Sequence, residues 1–293
     1  MNKTPYISDQ TAGSRHSRRL LFLPVILPLL LTSCEKTIDW PLDTNEPKVI
    51  VVEGVITNER TTHEVKISRP MADINGTPQP VSGALVSILE RGNASNDRAI
   101  RLREVQPGRY LTDSTVRAES QRRYTLKIFY QGREYYSEEA RMVDVETLKP
   151  LSYTKIPDHE FWYEMNLKET NRPSMVDYRL NWGHLPGFRN LPVEETRAHI
   201  IYYTVTSIDV NKIFRPAKER VPFPVGTRVY RRQYSMNKWQ EDFVRSLMAE
   251  TEWRGGLFDV QPGNVRSNMS DGAVGYFSVS QVVADFTIIQ PKD

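Results

Sequence analysis

Apolar and polar residues alternate along most of this chain in short stretches separated by turns, a rhythm that predicts a β protein. From Lys48 the run KVIVVEGVIT is rich in β-branched residues and is interrupted once, at Gly54. HEVKISR sets Val65 and Ile67 on one face, and ALVSILE does the same with Ala84, Val86 and Ile88. The stretches MADINGTPQPVSG and RGNASND read as turns. AIRLREV and RYLTD are predicted strands separated by Pro107-Gly108, and RRYTLKIFY and REYYSEEARM flank Gln131-Gly132 as a tight hairpin. About seven short strands in roughly 100 residues predict a β-sandwich over residues 48–144.

A second β-rich domain is expected over residues 145–293. LKPLSYTKI, YRLNWGH, AHIIYYTVTSID and TRVYRRQYSM read as strands, and AVGYFSVSQVVADFTII as one long closing strand. One segment has a different period. In SMNKWQEDFVRSLMAET, Trp239, Phe243, Val244 and Leu247 recur at helical spacing and predict an amphipathic helix at about 236–251. Ser235 or Asn237 is its expected N-cap, and Gly255-Gly256 lie just beyond its end. The expected fold class is therefore mainly β, with two β-sandwich-like domains, the second carrying one helix.

The N-terminal 33 residues do not fit this rhythm. Residues 15–34 read RHSRRLLFLPVILPLLLTSC: three arginines, an apolar run over 20–31, then Thr32, Ser33 and Cys34. A basic segment followed by a short apolar one is the pattern of a secretory signal peptide. Twelve helical residues span about 18 Å, short of the roughly 30 Å hydrocarbon core, and Pro24 and Pro28 weaken a spanning helix further. Leu31-Thr32-Ser33-Cys34 resembles the bacterial lipobox, in which the Cys is acylated and the chain is cut before it. Residues 1–33 are thus expected to be a lipoprotein signal peptide, Cys34 the lipid-attachment site, and 34–47 a Pro-bearing lipidated tether. Glu35-Lys36-Thr37-Ile38-Asp39 resembles a loose version of the surface-export signal of Bacteroidota lipoproteins, carried by Lys36 and Asp39.

Charge changes the picture in one respect. The formal +3 belongs to the leader, because from Cys34 onward 35 Lys and Arg face 35 Asp and Glu. A body without net charge removes the electrostatic case for a nucleic-acid partner. One Cys and five His leave no room for a disulfide framework and little for a zinc site, so no cofactor or metal is expected.

Candidate chemistry is sparse. Asp73-Ile74-Asn75-Gly76 opens like a calcium loop, but its twelfth position is Ala84, where a bidentate Glu is required; a turn is the better reading. Asp158-His159-Glu160 is the densest titratable cluster, although in a strand its carboxylates and imidazole would point to opposite faces. His184 and His199 fall on different predicted strands, and the pairs Glu138-Glu139 and Glu194-Glu195 read as solvated surface. Arg228, Arg231 and Arg232 with Tyr230 and Tyr234 read either as a phosphate or anionic-sugar contact or, preferably, as a solvated strand edge. No nucleophile elbow, His-Glu-x-x-His or phosphate-loop pattern is present. A glycosidase dyad assembled from separate strands stays open as an alternative.

Val81-Ser82-Gly83-Ala84-x-Val86, Pro107-Gly108-x-Tyr110, Tyr124-x-Leu126 and Gly132-x-x-Tyr135 resemble the transthyretin-like or carboxypeptidase-regulatory-like, Ig-like sandwich. That resemblance implies that Gly-x-Tyr turns the chain into a strand whose Tyr packs on the core. With Cys34-Glu35, Val51-Val52-Glu53-Gly54, Gly256-Leu257-Phe258-Asp259, Gly263-Asn264-Val265 and Gly275-Tyr276-Phe277, the chain resembles the Bacteroidota domain-of-unknown-function family numbered 4249. The resemblance implies a lipoprotein encoded beside TonB-dependent outer-membrane receptors, and it carries no catalytic residues. The expected protein is an outer-membrane lipoprotein held in the bilayer through acylated Cys34, facing outside the cell, with the periplasmic face as the alternative. Its expected role is that of a non-catalytic binding or accessory subunit of a TonB-dependent uptake system. The alternatives are a structural or adhesive envelope lipoprotein and, last, a hydrolase built from distant loops.

Overall fold

A computed structural model of the chain describes residues 49–71, 76–92, 97–167, 170–205, 221–251 and 265–292. The leader, Cys34, Lys36, Asp39, the tether, Asp73 and Asn75 of the calcium-like loop, and 255–264 lie outside these residues. Residues 45–293 form one compact unit.

Strands dominate the described residues. In chain order they are β1 (Ile50–Thr57), β2 (Glu64–Ser68), β3 (Leu85–Arg91), β4 (Arg98–Arg101), β5 (Arg103–Gln106), β6 (Arg109–Leu111), β7 (Arg123–Tyr130), β8 (Arg133–Tyr136) and β9 (Ala140–Arg141). There follow β10 (Tyr153–Lys155), β11 (Trp162–Met165), β12 (Ser174–Asn181), β13 (Arg197–Thr204), β14 (Phe223–Pro224) and β15 (Arg228–Ser235). The helix α1 (Lys238–Thr251) precedes the last two strands, β16 (Ala273–Ser280) and β17 (Val282–Ile288). Among the described residues the fold is mainly β with a single α-helix, as the sequence pattern predicts.

The strands form two facing pairs of sheets. Sheet order β16–β1–β2–β6–β5 faces β4–β3–β7–β8, with β9 also on β7. Val52, Ile56, Val65 and Ile67 of the first sheet and Ile88, Leu126 and Ile128 of the second are at most 1% exposed and share one core. The order β13–β12–β15–β17 faces the short sheet β10–β11–β14, around Tyr163, Val176, Leu180, Phe223 and Val229. Each set of buried residues falls at alternate positions, which is why the apolar pattern of the sequence maps onto the inner faces.

Turn chemistry holds where it was expected. Gln131 and Gly132 both take positive φ, 50° and 78°, and join β7 to β8 with Tyr130 opposite Arg133. Gly108 has φ 74°, and a Cβ there would lie 2.6 Å from the Ile67 carbonyl oxygen, so only Gly fits. Two residues on, Tyr110 is fully buried; its hydroxyl donates to Val81 O at 2.8 Å and accepts from Ala84 N–H at 3.1 Å. The phenol thereby ties β6 to the chain entering β3 and satisfies its own polar atom inside the core.

Two expected strands are each divided between sheets. AIRLREV breaks at Leu102, so β4 joins β3 while β5 joins β6. The long closing strand breaks at Gln281. Its first half, β16, pairs in parallel with β1 over eight residues, and its second half, β17, pairs with β15. Gln281 holds the crossing point: it exchanges backbone and hydroxyl bonds with Ser235, and its Oε1 accepts Val145 N–H at 2.8 Å. A segment of the second half of the chain therefore completes the first sheet.

The helix starts where expected, with Asn237 as N-cap accepting Gln240 N–H at 2.9 Å. Its buried stripe departs from the expected one. Val244 is buried, but Leu247 is 40% exposed and Gln240 is buried instead. Gln240 Oε1 accepts the Ser278 hydroxyl at 2.7 Å, so the helix seats on β16 through a polar contact that apolar periodicity does not register.

Candidate functional site

The β1–β2 hairpin, β15 and Tyr276 of β16 bound a cleft of about 560 Å³. Alternation on β15 decides which side chains reach it. Val229, Arg231 and Gln233 point into the core, while Tyr230, Arg232 and Tyr234 line the cleft. The basic patch expected from sequence is thus split. Arg231 turns inward, where its Nε donates to Asp285 Oδ1 at 2.9 Å and its Nη2 to Lys149 O at 2.8 Å. Nor is β15 a strand edge, because β12 and β17 flank it on both sides.

The opposing wall comes from β1, β2 and the loop between them. It brings three carboxylates, Glu53, Glu59 and Glu64, and two cations, Arg60 and Lys66. Arg232 reaches across to form an ion pair with Glu59, and its guanidinium lies 5.1 Å from the Tyr234 ring centroid. Arg232 Nε is shielded from solvent and has no acceptor among the described residues. Beside this pair the Asn58 amide grips the Val282 backbone, accepting from N–H at 2.7 Å and donating to the carbonyl at 3.3 Å. Both contacts fasten the β1–β2 loop to the β13–β12–β15–β17 sheet.

Tyr276 closes one end. Its ring lies 4.5 Å from Phe243 of the helix, and burial pushes its phenol up to about 12, so it remains a neutral hydroxyl at physiological pH. Behind the loop, His63 is buried. Its Nε2 sits 3.2 Å from Val116 O and so carries the proton, while its backbone N–H donates to Thr112 Oγ1 at 2.9 Å. Burial lowers its pKa below the ordinary 6.5, against the opposing pull of the Val116 carbonyl and Glu59. Because the unfolded chain binds that proton more readily, stability due to neutral His63 is complete above pH 6.5. It is lost as pH falls from there through the folded value. His184, also lowered by burial and by nearby Arg228, adds to the same loss. Melting temperature is expected to drop between pH 7.5 and 5, by less in His63→Gln than in the parent; equal slopes would remove His63 from this account.

The other sequence candidates lie elsewhere. Asp158, His159 and Glu160 occupy the β10–β11 turn, with Asp158 at φ 65° and Phe161 beyond them 57% exposed. His199 on β13 lies 2.9 Å from Asp177 Oδ1, and Asp177 also holds Arg179 at 3.1 Å. His184 follows β12 and shares neither partner. Among the described residues no group of three His, Cys, Asp or Glu side chains is placed to hold a metal ion, and no helix is long and apolar enough to cross a membrane.

Sequence reasoning found Tyr230, Arg232 and Tyr234 but missed Glu53, Glu59, Lys66 and Tyr276. Glu53, Lys66 and Tyr276 alternate with core residues and Glu59 lies in the β1–β2 loop, and polar positions of either kind read as plain solvated surface. Only the approach of the β13–β12–β15–β17 sheet turns them into a lining.

No curated protein matches the chain. Among solved structures, the FN1–FN3 domains of chicken CNTN1 align with a TM-score of 0.24 at 12% identity, covering 65% of this chain and 63%, under two thirds, of that one. Over residues 35–285 the sequence matches the family described as Domain of unknown function (DUF4249), and the chain belongs to that family.

Proposed function

We propose that this protein is a lipid-anchored, non-catalytic binding subunit on the outer face of the outer membrane, serving a TonB-dependent uptake receptor. The observation that carries the binding role is the polar, Tyr-lined cleft of about 560 Å³, a volume within the usual range for small-ligand sites. Within the lining Arg232 and Glu59 are joined as an ion pair, and Glu64 is held by Arg109 from outside it. That arrangement suits recognition better than proton transfer, for which a poised and unmatched acid or base is required. Support for the location comes from Leu31-Thr32-Ser33-Cys34, and for surface export from Lys36 and Asp39. The receptor partnership is supported by family association alone.

The test is capture of the native chain from outer membranes in mild detergent. A TonB-dependent receptor is expected to co-purify in stoichiometric amount, and its absence would sink the accessory role. A second reading, an adhesive envelope lipoprotein, is favoured by the exposed rings of Phe161 and Phe286, each 57% accessible. Under that reading deletion alters attachment and leaves nutrient uptake unchanged.

A further inference from the structure

We propose that the cleft takes an uncharged oligosaccharide; this deepens the binding role above and rests on it. Charge is the first argument. Glu53, Glu59 and Glu64 are matched by Arg60, Lys66 and Arg232, so the lining has no net charge. At Arg232 an anion would compete with Glu59, and at Glu59 a cation would compete with Arg232; either exchange leaves a partly desolvated charge unmatched. A polyol breaks neither pair. Its hydroxyls donate to carboxylate oxygens and accept from guanidinium and ammonium N–H groups, satisfying both signs at once.

The rings supply the second argument. Tyr230 lines the cleft and is 41% exposed although it sits on an interior strand. Its cross-strand neighbour on β17 is Phe286, 57% exposed, which carries the aromatic surface beyond the cleft. Exposed rings beside fixed polar groups match a sugar, whose C–H face is apolar and whose rim is hydroxylated. The backbone supplies the third. β1 is paired by β16 and β2, and β15 by β12 and β17, so the ladder groups of both walls are already used. An extended peptide therefore finds no strand edge on them to pair with.

The experiment uses the full chain in detergent micelles. Calorimetric titration is run with neutral gluco-, xylo- and manno-oligosaccharides, with oligogalacturonate as an acidic saccharide, and with Phe-containing hexapeptides. Saturable binding to a neutral series is expected, unchanged as salt rises from about 0.05 to 0.5 M. Tyr230→Ala should weaken it about tenfold or more, Phe286→Ala should weaken longer chains selectively, and Phe161→Ala, an exposed ring elsewhere, should leave it intact. Phe286→Ala keeps the test valid if Tyr230→Ala misfolds. Binding only of the acidic saccharide or the peptides, no binding of any neutral series, or insensitivity to both ring variants would overturn the ligand class. Receptor capture distinguishes the two levels: capture without sugar binding fails this proposal alone, and sugar binding without capture fails only the accessory role.

Discussion

Replacing Gly275 with Ala is expected to destabilise the body by about 3–5 kcal/mol, among the largest effects of any single substitution. Gly275 has φ 113°, a region closed to L side chains, and stands opposite Val52 in the parallel β1–β16 pair. A Cβ there would lie 2.0 Å from Val52 O and 3.0 Å from Val52 N. Both are backbone atoms held in a ladder, so the clash is not relieved by a rotamer change; the two strands have to separate. Gly187→Ala isolates the conformational part, since φ there is 88° but nothing lies within 4 Å. Urea unfolding of the two variants should show a small loss for Gly187→Ala and a large one for Gly275→Ala. Similar midpoints would mean that β16 does not sit on β1 in this register.

The second large effect concerns location. Cys34→Ala removes the only thiol in the chain and with it the proposed acyl anchor. Each buried methylene contributes about 0.8 kcal/mol to membrane attachment, so losing several chains abolishes it. Cell fractionation should show the parent with membranes and the variant released or retained as unprocessed precursor. Because residues 45–293 form a compact unit by themselves, the substitution should leave the body's thermal unfolding unchanged. External protease on intact cells should degrade the parent while a periplasmic marker survives. Protection of the parent would place the body inside the envelope, and a processed Cys34→Ala chain still bound to membranes would refute acylation there.

How far the sequence could be read depended on how local each determinant was. The alternation in ALVSILE and RYTLKIFY, the hairpin at Gln131-Gly132 and the cap at Asn237 are each set within a few residues, and each lies where expected. The pairing of Ile50 with Ala273 is not of that kind. Alternation says which face of β16 is buried but not which strand lies beside it. The breaks at Leu102 and Gln281 were hidden for the same reason: the apolar pattern continues through both, and only the sheet assignment changes. The cleft was half legible. Tyr230, Arg232 and Tyr234 stood out within a cluster of charge and rings, yet Glu59, the partner of Arg232, is 173 residues away from it in sequence.

The parallel pairing of β1 with β16 also sets how the body bears mechanical load. Force arriving through the chain ahead of Ile50 enters β1 at the end where Ile50 faces Ala273. The β13–β12–β15–β17 sheet holds β16 from the opposite end, through Ser280, Gln281 and β17. The two strands are therefore pulled in opposite directions along their length, so their hydrogen bonds share the load as a shear joint and do not open one after another. Shear between strands resists traction far better than unzipping, and the survival time of a loaded domain follows its unfolding rate. A body held at its N-terminal end, as the proposed acyl anchor would hold it, is in this topology gripped in its strong direction.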